Sequence, residues 1–345
     1  MTVLRLRRPD DFHLHLRDGA QLVAVLPFTA QRFARALVMP NLKPPMTTTA
    51  ALEDYRARIL GALPTGLRFE PLMTLYLTDQ TSPEEIRRAR ASGFVVGAKL
   101  YPAGATTHSD SGVTSIDKVW AALEAMAEVG LVLQVHGEMT DPGIDVFDRE
   151  LAFIDRVLTR VVDRVPGLRV VFEHITTATA AEFVRSTRTG VAATLTPQHL
   201  LLNRNAIFEG GLRPHNYCLP VLKRERDRES LLEAATADDP RFFLGTDSAP
   251  HARHAKETSC GCAGIFSAHA GIELYAEAFE AAGKLDRLEA FAAERGADFY
   301  GLPRNDGQLV LERREWTVPE AYPFADDRVV PMRAGGRVAW RVVSA

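Results

Sequence analysis

Residues 131–138, LVLQVHGE, and residues 169–176, RVVFEHIT, are two apolar, β-branched runs that each close on a histidine; residues 146–165 between them, VFDRELAFIDRVLTRVVDRV, have apolar residues at helical spacing. A strand apolar on both faces, joined through a helix to another such strand, is the unit of a parallel sheet covered by helices. The alternation extends in both directions. Upstream lie DFHLHL (11–16), RALVMP (35–40), FEPLMTLYL (69–77) and VVGAKLYP (95–102); downstream lie VAATLTP (191–197) and FFLGTDSA (242–249). Helical patterns fall at 48–63, 82–92, 115–128, 178–187 and 224–236, the second opened by Ser82-Pro83-Glu84-Glu85, an N-cap with an acidic first turn. Eight such units predict an α/β fold, a (β/α)8 TIM barrel. A doubly wound open sheet would show the same alternation, because closure leaves no mark in sequence.

No low-complexity tract or Pro/Ser-rich linker divides the chain, which reads as one domain over residues 1–345 with the barrel at about 10–300. The strands start by Phe12. Segments 267–282 and 286–295 are helical in pattern, and about 301–345 reads as a small C-terminal appendage with strand-like pieces (QLVLERR, RVVPMR, RVAWRVV) and a Gly335-Gly336 hairpin signal. The composition, 345 residues with 46% hydrophobic, supports a sizeable core. Basic and acidic side chains nearly balance, 41 against 44 for a net of −3, and no basic run is interleaved with aromatics, which argues against nucleic acid or anionic membrane as a partner. No apolar run has the length of a membrane span or the form of a signal peptide, so a cytoplasmic location is expected. Three cysteines, Cys218, Cys260 and Cys262, suit reduced thiols better than a disulfide scaffold.

The titratable residues cluster by position. His13, His15, Lys99, His136, His174 and Asp247 all fall at or near the C-terminal ends of candidate strands, which in a barrel converge on the mouth where active sites are built. His13 and His15, two residues apart on a strand, point to one face and suit a metal such as zinc; as a bare spacing they equally suit two core histidines. Lys99 at the end of an apolar strand is a costly place for an ammonium unless it is neutralised or its stem snorkels. His136 and His174 can each be a hydrogen-bonded structural histidine, and Asp247 a turn cap. Independent structural roles do not explain one shared placement. Four histidines, an aspartate and a lysine would make a two-metal site short of one bridging carboxylate, and a metal pair acidifies bound water to a pKa of roughly 7. Arg17 can hold a carboxylate bidentately, or form a surface pair with Asp18; Asn41 after Pro40 offers a donor and an acceptor, or a turn; His251 adds a donor near Asp247, or belongs to a surface loop. The loop GATTHSDSG (104–112), small and polar between glycines, has the composition of a mobile lid or of an ordinary flexible loop.

HLHLRD (13–18), MPN (39–41), GAKLYP (97–102), LTPQHL (195–200), NYCLPVLK (216–223), GTDSAPH (245–251) and KETSCGCAG (256–264) together resemble the amidohydrolase superfamily and, more narrowly, the short single-domain dihydroorotases. The resemblance runs from Phe12 to about Gly264. It implies reversible cyclisation of N-carbamoyl-L-aspartate to L-dihydroorotate, a step of pyrimidine biosynthesis, at two zinc ions bridged by hydroxide and a carbamylated lysine. His13, His15 and Asp247 would hold the more buried ion, His136 and His174 the other, and Lys99, carboxylated on Nζ, would bridge them. Arg17, Asn41 and His251 would hold the substrate carboxylate. Backbone at Leu219 and Ala263 would meet the ring edge, Thr106 and Thr107 of the lid would bond to substrate, and Asp247 would shuttle the proton. A homodimer is a further implication. The rivals are a hydantoinase or allantoinase, usually longer and with a sandwich domain built from both termini, and a non-catalytic scaffold that would have lost ligands. Zinc ligation by the cysteines is disfavoured, since three thiols fall short of a four-ligand structural site.

Overall fold

The computed structural model describes residues 2–259 and 261–344. After β1 (Val3–Arg7) come β2 (Asp10–Leu14), β3 (Arg35–Val38), β4 (Glu70–Tyr76), β5 (Val95–Leu100), β6 (Val132–Val135), β7 (Val170–Phe172), β8 (Val191–Leu195) and β9 (Phe242–Leu244). Strands β2 to β9 form one sheet in chain order, every neighbouring pair parallel. Its two edges meet. Leu14 and Ser248 form a parallel bridge across the seam, where Asp247 N donates to His13 O at 2.9 Å and His15 N donates to Ser248 O at 3.1 Å. The expected barrel is the fold, and its seam is closed by residues of the HLHL and TDS motifs.

One apolar residue from each barrel strand fills the interior: Phe12, Leu37, Leu72, Val96, Val132, Val171, Ala192 and Phe243. The helix Arg295–Tyr300 closes the end away from the mouth, its Tyr300 ring stacked on Phe12 with centroids 5.0 Å apart. Gly296 permits this approach, because a Cβ there would lie 2.2 Å from the Phe12 ring. A register irregularity between Asp11 and Leu14 lets Phe12 plug the interior while His13, the next residue, still reaches the mouth.

The structure departs from the sequence reading in several elements. A helix at Gly19–Ala30, with Pro27 inside it and Asp18 capping Gly19 N at 2.9 Å, fills the connection between β2 and β3, where the barrel needs a helix but no local helical pattern is singled out. The 146–165 segment begins its helix at Arg149 and passes through a π-turn at Ile154–Leu158. The strands do not start by Phe12: β1 precedes it and pairs antiparallel with β10 (Gln308–Glu312). The small sheet is therefore built from both termini and not from a C-terminal extension alone. Beyond it lie β11 (Trp316–Thr317), β12 (Tyr322–Phe324), β13 (Asp327–Val329), β14 (Arg337–Val338) and β15 (Arg341–Ser344), the last on the other side of β10. The turn at Gly335-Gly336 forms, yet it returns β14 to β11 and not to the strand just ahead of it.

Candidate active site

The seam between β2 and β9 brings three side chains together. His13 Nε2 and His15 Nε2 lie 3.3 and 3.2 Å from Asp247 Oδ1, and the two nitrogens are 3.4 Å apart. A tetrahedral ion with bonds of roughly 2.0–2.1 Å sets its ligands about 3.3–3.4 Å apart, so the triangle fits a divalent metal such as zinc. The opposite edges of both rings are tied down. His13 Nδ1 donates to Glu173 Oε2 at 2.7 Å, which also accepts from Thr194 Oγ1 at 2.6 Å, and His15 Nδ1 donates to Asn41 Oδ1 at 2.9 Å. With the protons on Nδ1, both Nε2 lone pairs face the cluster. Asp11 braces the seam, accepting from His13 N at 3.1 Å and Thr246 N at 2.8 Å. Burial lowers both histidines and keeps them neutral. Burial also pushes the Asp247 carboxyl up, but a proton shared with the His13 and His15 rings and the charge of Lys99 outweigh burial and hold it at about 2. A cation takes the place of that proton.

Lys99 is fully buried, its Nζ has no hydrogen-bond partner, and it lies 5.2 Å from the centroid of the Tyr101 ring. Burial draws its amine down to about 8. An orphaned buried ammonium is rare and asks for a partner or a chemical change. His174 also leaves a buried Nδ1 without a partner, whereas His136 Nε2 is engaged by Glu138 Oε2 at 2.8 Å. The His174 ring lies 4.9 Å from both His13 and His136, centroid to centroid. Among the described residues, His13, His15 and Asp247 are the group of three His, Cys, Asp or Glu close enough to hold one ion. Among the described residues, His136 and His174 have no third ligand of those types completing such a group. Backbone strain collects here: Arg17, His108, His174 and Asp247 have φ of 61°, 57°, 41° and 46°, the left-handed region that costs non-glycine residues about 1–3 kcal/mol.

Residues 11–196 match the amidohydrolase family model. The chain is 63% identical over 343 residues to a dihydroorotase of Azoarcus sp. (strain BH72), covering 99% of this chain and 100% of that protein. It belongs to the dihydroorotases. The crystal structure of the Saccharomyces cerevisiae dihydroorotase in complex with 5-fluoroorotic acid superposes with a TM-score of 0.91 at 31% identity, over 99% of this chain and 98% of that one. An L-hydantoinase (dihydropyrimidinase) from Arthrobacter aurescens, at 17% identity and a TM-score of 0.82 over 99% and 85% of the two chains, shares the fold.

In this member of the dihydroorotases one small cavity joins the motifs. It is lined by His13, His15, Arg17, Asn41, Thr106, Thr107, His136, His174, Leu219, Asp247 and Ala263, together with Tyr101, Ala249 and Gly264, which the sequence reading does not single out. Lys99 and His251 stand just behind this lining. Arg17 does not pair with Asp18, whose carboxylate is taken by Arg58 at 2.8 Å. Instead Arg17 Nε donates to Pro250 O at 2.8 Å, and its Nη2 lies 3.0 Å from His251 Nε2, itself 3.0 Å from Ala263 O. One ring nitrogen cannot serve both neighbours: it accepts from Arg17 or donates to Ala263 O. Burial keeps His251 neutral, so the choice is one of tautomer. The loop after β5 is folded down, and the space beneath it, about 20 Å3, has room for roughly one water. Glu173, Thr194, Asp11 and Glu138 escape sequence reasoning because each reads as an isolated polar residue in or beside an apolar strand. The Glu173-His174 pair closing a strand is the one local signal. Cys218 is a buried thiol pushed up to about 12 by burial, Cys262 is free, and Cys260 lies outside the described residues.

Proposed function

We propose that the chain catalyses the reversible cyclisation of N-carbamoyl-L-aspartate to L-dihydroorotate at two zinc ions, with Lys99 carboxylated on Nζ. The observation that carries the reading is the His13–His15–Asp247 triangle at metal-ligand spacing beside a buried lysine with no partner. A lysine drawn to about 8 has a neutral fraction at physiological pH, and the neutral amine is the form that attacks CO2: an N–C bond forms, one N–H proton leaves to solvent, and a costly cation becomes an anion. That anion supplies the carboxylate the pair His136 and His174 lacks. The ions, when bound, supply a Lewis acid for the amide carbonyl and water acidified to near neutral pKa.

The remaining work falls to side chains. Arg17, with Asn41 and His251, anchors the free carboxylate, and the Arg17 guanidinium is fixed by Pro250 O on Nε and by His251 Nε2 against Nη2. Backbone at Leu219 and Ala263 meets the ring edge, and Thr106 and Thr107 bond to substrate from the lid. In ring opening Asp247 accepts a proton from the attacking water and delivers it to the leaving ring nitrogen; in ring closure it takes the proton from the ureido nitrogen. A hydantoinase has no need of the carboxylate anchor, which is the reason to favour the dihydroorotate pair. Cytoplasmic location and homodimeric assembly belong to the same proposal and rest on the family resemblance alone. Incubating zinc-loaded protein with carbamoyl-aspartate, dihydroorotate, hydantoin and allantoin tests the substrate. Turnover confined to the first two is expected, and turnover of hydantoin or allantoin at comparable rates would overturn the assignment.

A further inference from the structure

Asn41 is gripped from two sides. Its Oδ1 accepts from His15 Nδ1 at 2.9 Å, its Nδ2 donates to Thr107 O at 3.0 Å, and its main-chain O accepts from His108 Nδ1 at 3.1 Å. Thr107 and His108 belong to the loop that covers the cavity, and the same loop is tied to the barrel by Thr107 Oγ1 donating to Ala263 O at 3.4 Å and Tyr76 OH donating to His108 O at 3.3 Å. Chemistry fixes which way the Asn41 amide points. His15 turns Nε2 toward His13 Nε2 and Asp247 Oδ1, and a cation among these three needs the Nε2 lone pair. The neutral ring then carries its proton on Nδ1, so the atom facing it must be the amide oxygen, which leaves the NH2 for the lid. A flipped amide would set Oδ1 against Thr107 O, two acceptors at hydrogen-bond distance.

We infer that Asn41 is a positioning residue that couples a metal in the His13–His15–Asp247 site to closure of the lid. A bound cation fixes the His15 tautomer, the tautomer fixes the amide, and the amide holds the Thr107 carbonyl. Losing the cation frees the His15 proton to move to Nε2; Asn41 then has no reason to keep its NH2 toward the lid, and the loop loosens. The second Nδ2 hydrogen stays available for substrate, so this role adds to the one proposed for Asn41 above. The inference rests on the reading of the site as a metal centre.

The test is hydrogen–deuterium exchange of the loop amides, residues 103–112, in the full-length protein with zinc and after chelation, with zinc content measured on each sample. In the wild type, exchange should be roughly two- to tenfold slower with zinc, the span one hydrogen bond confers. Asn41→Asp keeps an acceptor for His15 but has no donor for Thr107, so its loop should exchange fast in both states. His108→Ala, which removes the main-chain tether alone, should raise exchange in both states and keep the zinc-dependent difference. Zinc uptake with no change in loop exchange overturns the coupling alone, and so does a zinc-dependent difference that survives in Asn41→Asp or vanishes in His108→Ala. No zinc uptake overturns the metal reading and the coupling with it.

Discussion

Asp247 is ionised at neutral pH because a proton shared with the His13 and His15 rings and the charge of Lys99 outweigh the penalty of its burial, and a carboxylate in that state can take a proton from the reacting water or amide. Asp247→Asn removes that acceptor and one metal ligand while leaving Arg17 and His251 in place. We expect kcat to fall by about 10²–10⁴ in both directions with a much smaller change in KM; near-normal turnover in steady-state assays would remove Asp247 from the proton path. Glu173 acts one bond further out, holding the His13 ring by its Nδ1. Glu173→Gln should weaken zinc binding about 10–100-fold in a chelator competition, and unchanged affinity would reduce Glu173 to packing. The contrast shows what is legible at this scale. His13 and His15 can be read because strand periodicity places both on one face, and Asp247 because it closes an apolar run. Glu173 cannot, since its meaning lies in a partner 160 positions away across the barrel.

At the scale of elements, the eight apolar runs were readable because each strand is buried on both faces and leaves no polar alternation to confuse it. The helix Gly19–Ala30 was not, because it is apolar nearly all round and carries Pro27, two features that argue locally against an amphipathic helix. Strand β1 has no helix after it and pairs with β10 some three hundred residues on, so no local repeat marks it. The helix Arg295–Tyr300 has its own signature in tertiary structure. Gly296 lies against Phe12, and Gly296→Ala must push a Cβ into that ring or lift the plug off the barrel floor. A loss of about 1–3 kcal/mol is expected, read as a lower denaturant midpoint; no change would show that the plug is loosely packed.

For the whole molecule, closure of the sheet gives function its geometry, and closure is what sequence alone leaves open between barrel and open sheet. The buried mouth also sets how the metal-free protein responds to acid. His13, His15, His108, His174, His199, His251 and His269 are all held below the ordinary histidine value by burial, so unfolding lets them take up protons that the native state excludes. Asp11, Glu150 and Glu173 are raised by burial and work in the opposite direction. Seven groups outweigh three, so the unfolded state binds more protons at mildly acid pH and native stability is lost as pH falls below about 6.5. Chelated protein should unfold at lower guanidinium at pH 5.5 than at pH 7.5; an equal or higher midpoint at pH 5.5 would contradict this balance.

We propose that side chains from five strands, gathered at the barrel mouth, hold two cations on which ring closure depends. The direct measurement is a zinc titration of chelated protein in the presence of CO2, following dihydroorotate formation from carbamoyl-aspartate. Activity should be absent at the start and reach its plateau at two equivalents per chain. Ring closure that survives chelation, or that fails to respond to zinc, would overturn the two-cation site.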